Sequence, residues 1–315
     1  MKPLVSVIVI NWNGLKDTIE CLESLRKLEY DNYEIIVVDN NSSDDSVSTI
    51  KKMFTEVKLI VLNKNVGYSG GCYIGANKSK GQYLLLLNND TTVHPKILNV
   101  LVKIAEKDQK FGIVAPKIMY YDQDKIWFGG GKILKPISSV IHMNRWGMWD
   151  NSKPKNNIQE VSFIPGCVML IKRELINKIG IFDPYYFFNL EDMDLCYRTS
   201  QAGYKCIYVP ISMVYHKDSS SSGEKEKRGL SRLQAYFEGR NSSIFALTYS
   251  NKANIYIITI ALILRFLLYS THMVLTRRLG SILSYWKGIH DGIQDYSFSR
   301  KKKGNLLVSS SHISF

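Results

Sequence analysis

The sequence predicts an α/β fold in which a mostly parallel β-sheet is flanked by helices. The first observation is that its amino-terminal third contains near-continuous apolar runs, separated by stretches with apolar residues at helical spacing. Runs of this kind are typical of parallel strands covered on both faces. The second observation is that several runs end in asparagine and aspartate. Since ligands bind beyond the carboxyl ends of parallel strands, these polar ends predict a binding site.

The predicted elements follow this pattern in chain order. The first third is expected to contain strands at 5–10, 34–38, 57–62 and 83–87 and a helix at 17–28. His94 and Pro95 open another helix, because the fixed φ of proline suits a first turn. From about Ile113 the regular alternation stops. The later expected elements are strands at 163–171, 206–209 and 213–216 and helices at 172–179 and 190–201, with Gly203 ending the last helix.

Composition limits the class of protein. The chain has 315 residues, 45% hydrophobic and 22% charged, which excludes wholesale disorder. Its 41 Lys and Arg residues against 28 Asp and Glu give a formal charge of +13, which favours an anionic partner such as nucleic acid, phospholipid or a phosphorylated substrate. No nucleic acid is expected, because the positive residues form no stripe interleaved with aromatic residues.

The cysteines and the amino terminus indicate the compartment. Five cysteines without a C-x-x-C pair make disulfides and structural zinc unexpected. The opening MKPLVSVIVINWNG is interpreted as a first strand, not a signal peptide. The catalytic part is therefore expected in the cytoplasm.

The carboxyl-terminal segment has a different character. Residues 255–275 are apolar except for Arg265, His272 and a few hydroxyl groups, and Arg277 and Arg278 follow. A helix in the membrane interface is the expected structure, because the charge of Arg265 could reach the headgroups. A spanning helix and an ordinary core or oligomer helix are the alternatives. The basic residues at 300–303 favour anionic lipid, or form a solvated tail.

Three polar strand ends are expected to converge on one edge of the sheet: Asn11-Trp12-Asn13, Asp39-Asn40-Asn41 and Asn88-Asn89-Asp90. Between them, the glycine-rich segment 65–71 either lets the backbone approach an anion or forms a tight turn. The chain has no G-x-G-x-x-G after its first strand and no G-K-[ST], so neither a Rossmann dinucleotide site nor a P-loop is supported.

Two further segments carry groups with possible chemistry. Glu191, Asp192 and Asp194 begin a helix beside several aromatic residues. Such acids either stabilise the helix through its dipole or provide a general base. His216 ends a strand, where an imidazole is either structural or a metal ligand.

The ordered set of motifs resembles the inverting glycosyltransferases of family 2, with the GT-A fold, and is most similar to their rhamnosyltransferase-like members. The matching segments span residues 4 to 245: VSVIVINWNG, ECLESL, YEIIVVDNNSSDDS, NKNVGYSGG, YLLLLNNDTTVHP, FIPGCVMLIKRELINKIGIFDPYYFFNLEDMDLCYR, AGYKCIYVP, VYHK and EGRNS. The resemblance implies a nucleotide-sugar-binding sheet, to which we add membrane-associated helices at the carboxyl terminus.

The resemblance also implies roles for individual residues. Asp90 would bind Mg²⁺ or Mn²⁺ on the donor pyrophosphate, with His216 completing the metal site, and Asp192, beside Glu191, would be the general base. Asp39 would contact the nucleotide base. The other residues implied in the donor site are Asn11, Asn13, Asn41, Gly67, Asn88 and Asn89. Asn88 is a departure, because the family motif has a carboxylate there.

Four residues have weaker implied roles. Lys217 and Arg240 are candidate phosphate contacts, with ordinary surface charge as the alternative. Trp146 and Trp149 are candidates to stack on acceptor sugars, with core packing as the alternative. The serine-rich loop at 219–228 is expected to close over the donor.

The expected function is metal-dependent inverting transfer of a hexose, with rhamnose as the first candidate, from a nucleoside-diphosphate sugar. The expected acceptor is a saccharide or a polyprenyl-diphosphate-linked saccharide, used for cell-surface polysaccharide at the cytoplasmic face of an anionic membrane. Residues 1–115 would bind the donor, 116–245 would bind the acceptor and carry catalysis, and 246–315 would associate with the membrane.

Two alternatives remain open from the sequence. A sugar-1-phosphate nucleotidyltransferase shares a similar sheet, but it would have a glycine-rich, arginine-containing loop where this chain has Asn11-Trp12-Asn13-Gly14. The other alternative is a non-catalytic, membrane-associated nucleotide-sugar-binding protein.

Overall fold

The computed structural model of the chain describes residues 1–135, 138–145, 157–217, 231–249 and 255–302. Contacts divide the chain into two compact units. The first contains residues 1–133 and 140–227, and the second contains 134–139 and 228–315. The boundary predicted at residue 245 therefore differs from the structural one, because it falls inside a helix, Arg232–Tyr249, that belongs to the second unit.

The first unit is built on a ten-stranded sheet with the path β10-β12-β6-β11-β4-β1-β2-β3, to which β5 and β7 add at β12 and β6. A separate two-stranded sheet pairs β8 with β9. The strands are β1 Val5–Asn11, β2 Tyr33–Asp39, β3 Lys58–Val61, β4 Tyr83–Asn88, β5 Thr91–Val93, β6 Phe111–Tyr120, β7 Ile126–Phe128, β8 Gly131–Leu134, β9 Ser139–His142, β10 Gln159–Val161, β11 Val168–Lys172 and β12 Lys205–His216.

The predicted mostly parallel central sheet is confirmed. Strand β1 pairs in parallel with β2 and β4, and β2 pairs in parallel with β3. Strand β11 is antiparallel to β4, and β12 is again parallel to β6. The register pairs Asn11 with Asp39 and Ile10 with Asn88, so the polar ends of β1, β2 and β4 reach the same edge of the sheet.

Six helices accompany the described strands of this unit: α1 Leu15–Leu25, α2 Ser46–Met53, α3 Gly67–Asn77, α4 Ile97–Ala105, α5 Arg173–Ile179 and α6 Glu191–Gln201. Helix α3 approaches β1 closely because it presents glycine to the sheet. A Cβ added at Gly75 would lie 2.5 Å from the Ile8 side chain, and one at Gly71 would lie 3.1 Å from Ile10. Larger residues there would push the helix away from the strand.

Two strands differ from their predicted bounds for identifiable reasons. The strand predicted at 163–171 begins at Val168, because Gly166 and Cys167 form a turn directly before it. The strands predicted at 206–209 and 213–216 form a single strand, β12, with a register shift between Val209 and Met213. Pro210 has no N–H for the ladder, and an irregularity is where a sheet accepts proline.

The second unit contains three helices among its described residues: α7 Arg232–Tyr249, α8 Ile255–Leu275 and α9 Leu279–Lys302. Helices α7 and α9 approach backbone to backbone at glycines. A Cβ added at Gly239 would lie 2.3 Å from the Tyr285 carbonyl oxygen, and one at Gly288 would lie 2.1 Å from the Tyr236 carbonyl oxygen. The buried cluster of this unit consists of Ala235, Met273, Tyr285 and Ile289.

Arg265 does not project outward from α8 as the sequence analysis expected. Its side chain is 2% exposed and forms an ion pair with Glu238 of α7, which also accepts a hydrogen bond from Tyr269 at 2.9 Å. The carboxylate compensates the buried guanidinium, so the polar residue of α8 is turned toward α7. Within the described ranges, no helix has both the length and the hydropathy needed to cross a membrane.

Burial of a lysine in β6 makes stability depend on pH. Lys117 is 1% exposed, and burial lowers the pKa of its ammonium group from 10.5 to about 7. Between these values the unfolded chain binds more protons than the folded one, so this group makes stability rise with pH from about 7 to 10.5. In Lys117→Met we expect the free energy of unfolding to lose this rise, which is worth roughly 2–5 kcal/mol.

The measurement is chemical denaturation of both proteins at pH 6 to 10. Lys110→Met, which replaces an exposed lysine, is the control and should keep the wild-type slope. An identical slope in Lys117→Met and wild type would contradict the assignment.

Candidate active site

The ends of β1 and β2 form a buried hydrogen-bonded cluster. Asn11 and Asp39 are both 0% exposed, and Asn11 Nδ2 donates to Asp39 Oδ2 at 2.7 Å. Ser42 donates to the same carboxylate through its backbone N–H at 2.9 Å and its hydroxyl at 2.7 Å. Thr18 of α1 donates to Asn11 Oδ1 at 2.8 Å. Among the described residues, Asn11 and Ser42 thus bond to the Asp39 carboxylate, and Ser42, three residues further on in a turn, had no predicted role.

Asn13 and Asn41 occupy exposed turns after these strands. Their φ values are 51° and 65°, in the left-handed region that asparagine tolerates better than most residues. Asn13 Oδ1 accepts a hydrogen bond from the Ser43 N–H at 2.7 Å. Both positions therefore suit the turn geometry, and a contact of either with a donor stays a prediction.

Asn40, which the sequence analysis placed in a strand end without a role, organises the glycine-rich turn. It is 3% exposed, and its Nδ2 donates to Asn65 Oδ1 at 2.9 Å and to the Gly67 carbonyl oxygen at 3.1 Å. Its Oδ1 accepts from the Val66 N–H at 2.9 Å. An asparagine pair, Asn40 and Asn65, was the available signal, because amides often bind turn backbone.

Gly67 connects this turn to the segment before α6. Its φ is 75°, and a Cβ there would lie 2.3 Å from the Phe187 carbonyl oxygen. That carbonyl accepts a hydrogen bond from the Ser69 N–H at 3.2 Å. Phe187, Asn189 and Leu190 also have positive φ, so a strained segment lies directly against the turn. The amino termini of α3 and α6 are joined by this contact.

The end of β4 carries the three residues of the Asn-Asn-Asp motif. Asn89 Nδ2 donates to Thr18 Oγ1 at 3.0 Å, which attaches it to α1. Asn88 Oδ1 is buried and has no hydrogen-bond partner among the described residues. A buried amide oxygen without a partner is unfavourable, so a ligand group that donates to Asn88 would relieve this cost.

Asp90 and His216, far apart in sequence, are in contact. Strand β5 pairs with β12 so that Thr91 is opposite His216, and His216 Nε2 lies 3.1 Å from Asp90 Oδ1. Asp90 is 2% exposed and His216 is 5% exposed. The carboxylate also affects its surroundings, because burial and then the charge of Asp90 raise the pKa of the Cys21 thiol.

Aromatic side chains support the imidazole of His216. The Trp127 ring meets it edge to face at 5.1 Å between centroids, and His142 meets Trp127 in the same way at 5.3 Å. The Arg145 guanidinium lies 5.3 Å from the centre of the Trp127 ring, and Arg145 Nε donates to the Tyr120 hydroxyl at 3.3 Å. Trp127 was placed by sequence in an irregular stretch, and only the fold brings it to this histidine.

Asp192 lies in the first turn of α6, with each carboxylate oxygen accepting a backbone hydrogen bond. Gly166 N–H donates to Oδ2 at 2.9 Å and Met193 N–H donates to Oδ1 at 2.7 Å. The Cys167 carbonyl oxygen, next to Gly166, accepts from the Asn88 N–H at 2.9 Å. A short turn therefore connects the carboxylate of Asp192 to the end of β4.

The other carboxylates at this helix have different surroundings. Asp194 Oδ2 accepts from Arg198 Nε at 2.7 Å, and its Oδ1 accepts from the Tyr186 hydroxyl at 3.2 Å, so Asp194 stabilises the helix. Glu191 is 5% exposed. Burial, the thiols of Cys72 and Cys167 and the charge of Glu191 raise the pKa of Tyr68, which therefore stays protonated and donates to the Gly166 carbonyl oxygen at 2.7 Å.

The remaining candidate residues either form ion pairs within the protein or lie outside the described residues. Lys217 Nζ lies 2.6 Å from both Asp17 Oδ1 and Glu20 Oε2 of α1. Arg240 belongs to the second unit, where it pairs with Asp295 at 3.2 Å. Trp146, Trp149 and the loop at 219–228 lie outside the described residues.

Comparison with known proteins agrees with this architecture. Residues 6–180, more than half of the chain, match the model for glycosyl transferase family 2. The family match and the mixed α/β, GT-A-like sheet define the class of protein as a glycosyltransferase. The chain belongs to glycosyltransferase family 2.

Individual relatives are more distant. An uncharacterized protein of Sinorhizobium fredii is 28% identical over 76% of this chain, which spans only 27% of that protein's length. An N-acetylglucosaminyl-diphospho-decaprenol L-rhamnosyltransferase of Mycobacterium tuberculosis is 22% identical over 60% of this chain and 68% of its own. The mannosyltransferase of Pyrobaculum calidifontis, solved with GDP-Man and Mn²⁺, is 14% identical and has a TM-score of 0.58, covering 94% of this chain and 88% of its own.

Replacement of Gly67 tests the contact between the turn and the α6 segment. Gly67→Ala would meet both an unfavourable φ and the Phe187 carbonyl, so we expect a loss of about 2–4 kcal/mol in the free energy of unfolding. The control is Gly203→Ala. Gly203 has a φ of 83° but has no atom within 4 Å of an added Cβ in the described part of the chain, so only a backbone cost of about 1–2 kcal/mol applies.

Both variants are compared by chemical denaturation. Equal losses would contradict the close contact, because both sites have a positive φ and only the methyl group added at position 67 meets a neighbouring atom.

Proposed function

We propose that the chain transfers a hexose, with rhamnose as the first candidate, from a nucleoside-diphosphate sugar to a saccharide or lipid-linked saccharide. The observation that carries this proposal is the pairing of Asp90 with His216 at the end of β4, one short turn from the carboxylate of Asp192. A base beside a cation-binding pair is the combination that glycosyl transfer requires, because a hydroxyl must lose a proton while a diphosphate leaves.

Asp90 and His216 fit a divalent cation by their chemistry. A carboxylate oxygen and an imidazole nitrogen are both ligands of Mn²⁺, and Mg²⁺ prefers oxygen. Among the described residues, no group of three or more His, Cys, Asp and Glu side chains could hold a metal ion. The two side chains would therefore share the ion with phosphate oxygens of the donor and with water. A bound Mg²⁺ or Mn²⁺ would neutralise negative charge on the leaving nucleoside diphosphate.

Asn88 stands where the family motif has a carboxylate, so its side chain would have a different role. An amide is neutral, so it contributes no charge to cation binding but can accept a hydrogen bond through its buried Oδ1. A ribose hydroxyl is a donor of the right kind, and this assignment agrees with the lack of a partner for Oδ1 among described side chains. Asn88 would then bind donor, while Asp90 carries the charge.

Asp192 would take the proton of the acceptor hydroxyl. The backbone N–H groups of Gly166 and Met193 orient its carboxylate. As the proton passes to a carboxylate oxygen, the hydroxyl oxygen bonds to the anomeric carbon and the bond to the diphosphate breaks. Attack from the face opposite the leaving group inverts the anomeric configuration.

The identities of donor and acceptor are supported by relatives only at the level of class. The Mycobacterium tuberculosis relative is named for rhamnose transfer to a diphospho-decaprenol acceptor, and the Pyrobaculum structure holds GDP-Man. We favour a thymidine-diphosphate rhamnose donor and a polyprenyl-diphosphate-linked acceptor. Both are anionic, as the +13 charge of the chain favours.

Replacement of the proposed base tests the reaction. We expect Asp192→Asn to lower transfer by about 100-fold to 10,000-fold, the usual contribution of a general base, because an amide cannot accept the proton. The assay measures nucleoside diphosphate release and glycosylated product from a donor panel that includes thymidine-diphosphate rhamnose, after chelation and after restoring Mn²⁺ or Mg²⁺.

Asp194→Asn is the matched control, because it removes a neighbouring carboxylate that pairs with Arg198. It should lower thermal stability and keep most of the activity of the folded enzyme. Transfer by Asp192→Asn at the wild-type rate would exclude Asp192 as the base.

We further propose that the second unit places the enzyme on the cytoplasmic face of an anionic membrane. Inward pairing of Arg265 leaves an apolar stripe on α8, which continues on α9 at Leu279, Leu283 and Trp286. Side chains of this surface are 51% to 77% exposed; those on α8 include Ile260, Ile263, Leu264, Leu267, Leu268 and Leu275. Arg277 and Arg278, between the helices, supply positive charge where anionic headgroups would lie.

Flotation with liposomes tests this surface. We expect the double variant Leu264→Asp, Leu268→Asp to bind vesicles containing anionic phospholipid at least about tenfold more weakly, because each substitution removes apolar burial and adds a repelled charge. The control is Val61→Asp with Ile211→Asp, at exposed apolar positions of the first unit. Unchanged flotation, or loss of a dimer in its place, would contradict a membrane role for this surface.

A further inference from the structure

The residue that follows β12 is held by α1. Lys217 Nζ lies 2.6 Å from Asp17 Oδ1 and 2.6 Å from Glu20 Oε2, and the three side chains are between 17% and 31% exposed. Asp17 and Glu20 are three positions apart, which places them on the same face of the helix. We call Lys217, Asp17, Glu20 and the neighbouring Tyr121 the Lys217 cluster.

Tyr121 extends the cluster to the end of β6. The Lys217 ammonium lies 5.0 Å from the centre of the Tyr121 ring, and the Tyr121 hydroxyl donates to Glu20 Oε2 at 3.4 Å. The Tyr121 N–H donates to the His216 carbonyl oxygen at 3.0 Å. The backbone on the carboxyl side of His216 is thus fixed by both β6 and α1.

The backbone of Lys217 also holds Asp90. Its N–H donates to the Asp90 carbonyl oxygen at 3.1 Å. Since His216 immediately precedes Lys217, the same short segment carries the imidazole that faces Asp90 Oδ1 and the N–H that binds the Asp90 backbone. A shift of Lys217 would therefore change two contacts of Asp90 together, the one from the His216 imidazole and the one from the Lys217 N–H.

Helix α1 contacts the other end of this pair as well. Thr18 Oγ1 accepts a hydrogen bond from Asn89 Nδ2 at 3.0 Å, and Cys21 Sγ lies 3.8 Å from the Asn88 carbonyl oxygen. One face of α1 is thus bonded to the residues that precede Asp90, while Asp17 and Glu20 are bonded to the residue that follows His216. Helix α1 therefore contacts both the segment that carries Asp90, after β4, and the segment that follows His216, after β12.

We propose that Lys217 is a positioning residue, which, together with Asp17 and Glu20, holds His216 and Asp90 at the separation that a divalent cation requires. The consequence for catalysis rests on the proposed function, whereas the positional link concerns the protein alone. Charge supports the link. Asp17 and Glu20 place two carboxylates 2.6 Å from the ammonium group of Lys217. Two carboxylates already neutralise the charge that a phosphate contact would use.

The first measurement is hydrogen–deuterium exchange of the protein without ligands. In Lys217→Met we expect exchange to rise at least about tenfold in peptides that cover 88–93 and 212–217, because an unrestrained Lys217 amide opens more often. Lys217→Arg, which keeps the charge, should restore most of the protection. The matched control is Lys205→Met, which breaks the 2.8 Å pair with Glu160 at the other end of β12 and should leave both peptides unchanged.

The second measurement is the Mn²⁺ concentration that gives half-maximal glycosyl transfer. We expect it to rise about tenfold in Lys217→Met with little change in the donor KM, since residues that orient metal ligands act at this scale. The double variant Asp17→Asn, Glu20→Gln should reproduce the effect, and combining it with Lys217→Met should add little. A cluster that acts as one unit gives such non-additivity.

Three outcomes would overturn the proposal. Unchanged exchange in Lys217→Met would exclude the positional link. A rise in donor KM alone, additive with the Asp17 and Glu20 substitutions, would identify Lys217 as a phosphate contact. Altered exchange with an unaltered Mn²⁺ requirement would show that the cluster does not position the metal pair. If wild type transferred no sugar, the proposed function would fail, while the exchange result would still decide the link.

Discussion

The site depends on the pairing of a short strand, β5, with the end of β12. This pairing sets Thr91 opposite His216, and it thereby brings an imidazole to a carboxylate that is 126 positions earlier in the chain. Both groups are almost fully buried, where an unpartnered carboxylate would be costly. The pairing of β5 with β12 positions both partners, and Trp127 packs against the imidazole. A cation that joined them would meet side chains already in place, so little ordering would remain to oppose binding.

A second constraint joins the segments at the amino termini of α3 and α6. Gly67 in α3 has no room for a side chain, because the Phe187 carbonyl occupies that space. Phe187 in turn belongs to a segment with several left-handed residues that leads into α6 and Asp192. Strained backbone of this kind persists only where neighbouring structure determines it. The turn that Asn40 organises and the helix that carries Asp192 are thus parts of one connected arrangement.

The sequence and the structure agree most closely where local patterns carry the information. Buried parallel strands are continuous apolar runs, so β1, β2 and β4 and their polar ends were predictable to within a residue or two. The strands from β6 onward were harder to predict, because these partly antiparallel and irregular strands have no comparable sequence pattern. Val168 begins β11 only after the turn containing Gly166, whose N–H binds Asp192, and a local pattern does not contain this contact.

Long-range partners account for the remaining differences. Asn40 and Trp127 acquire their roles from residues remote in sequence, and Lys217 meets two acids that are 200 and 197 positions away. Arg265 is the clearest case. An arginine within an apolar run suggests a side chain that points outward, but Glu238 of another helix gives it an inward partner.

By itself, the sequence determined the α/β class, the strand ends that carry polar groups, and the family to which the motifs belong, because these follow from local periodicity and ordered spacing. Only the tertiary structure decided which carboxylates are bound by backbone, which cation is already neutralised, and that His216 reaches Asp90. These contacts join segments that are remote in sequence, and the segments come together only when the whole sheet forms.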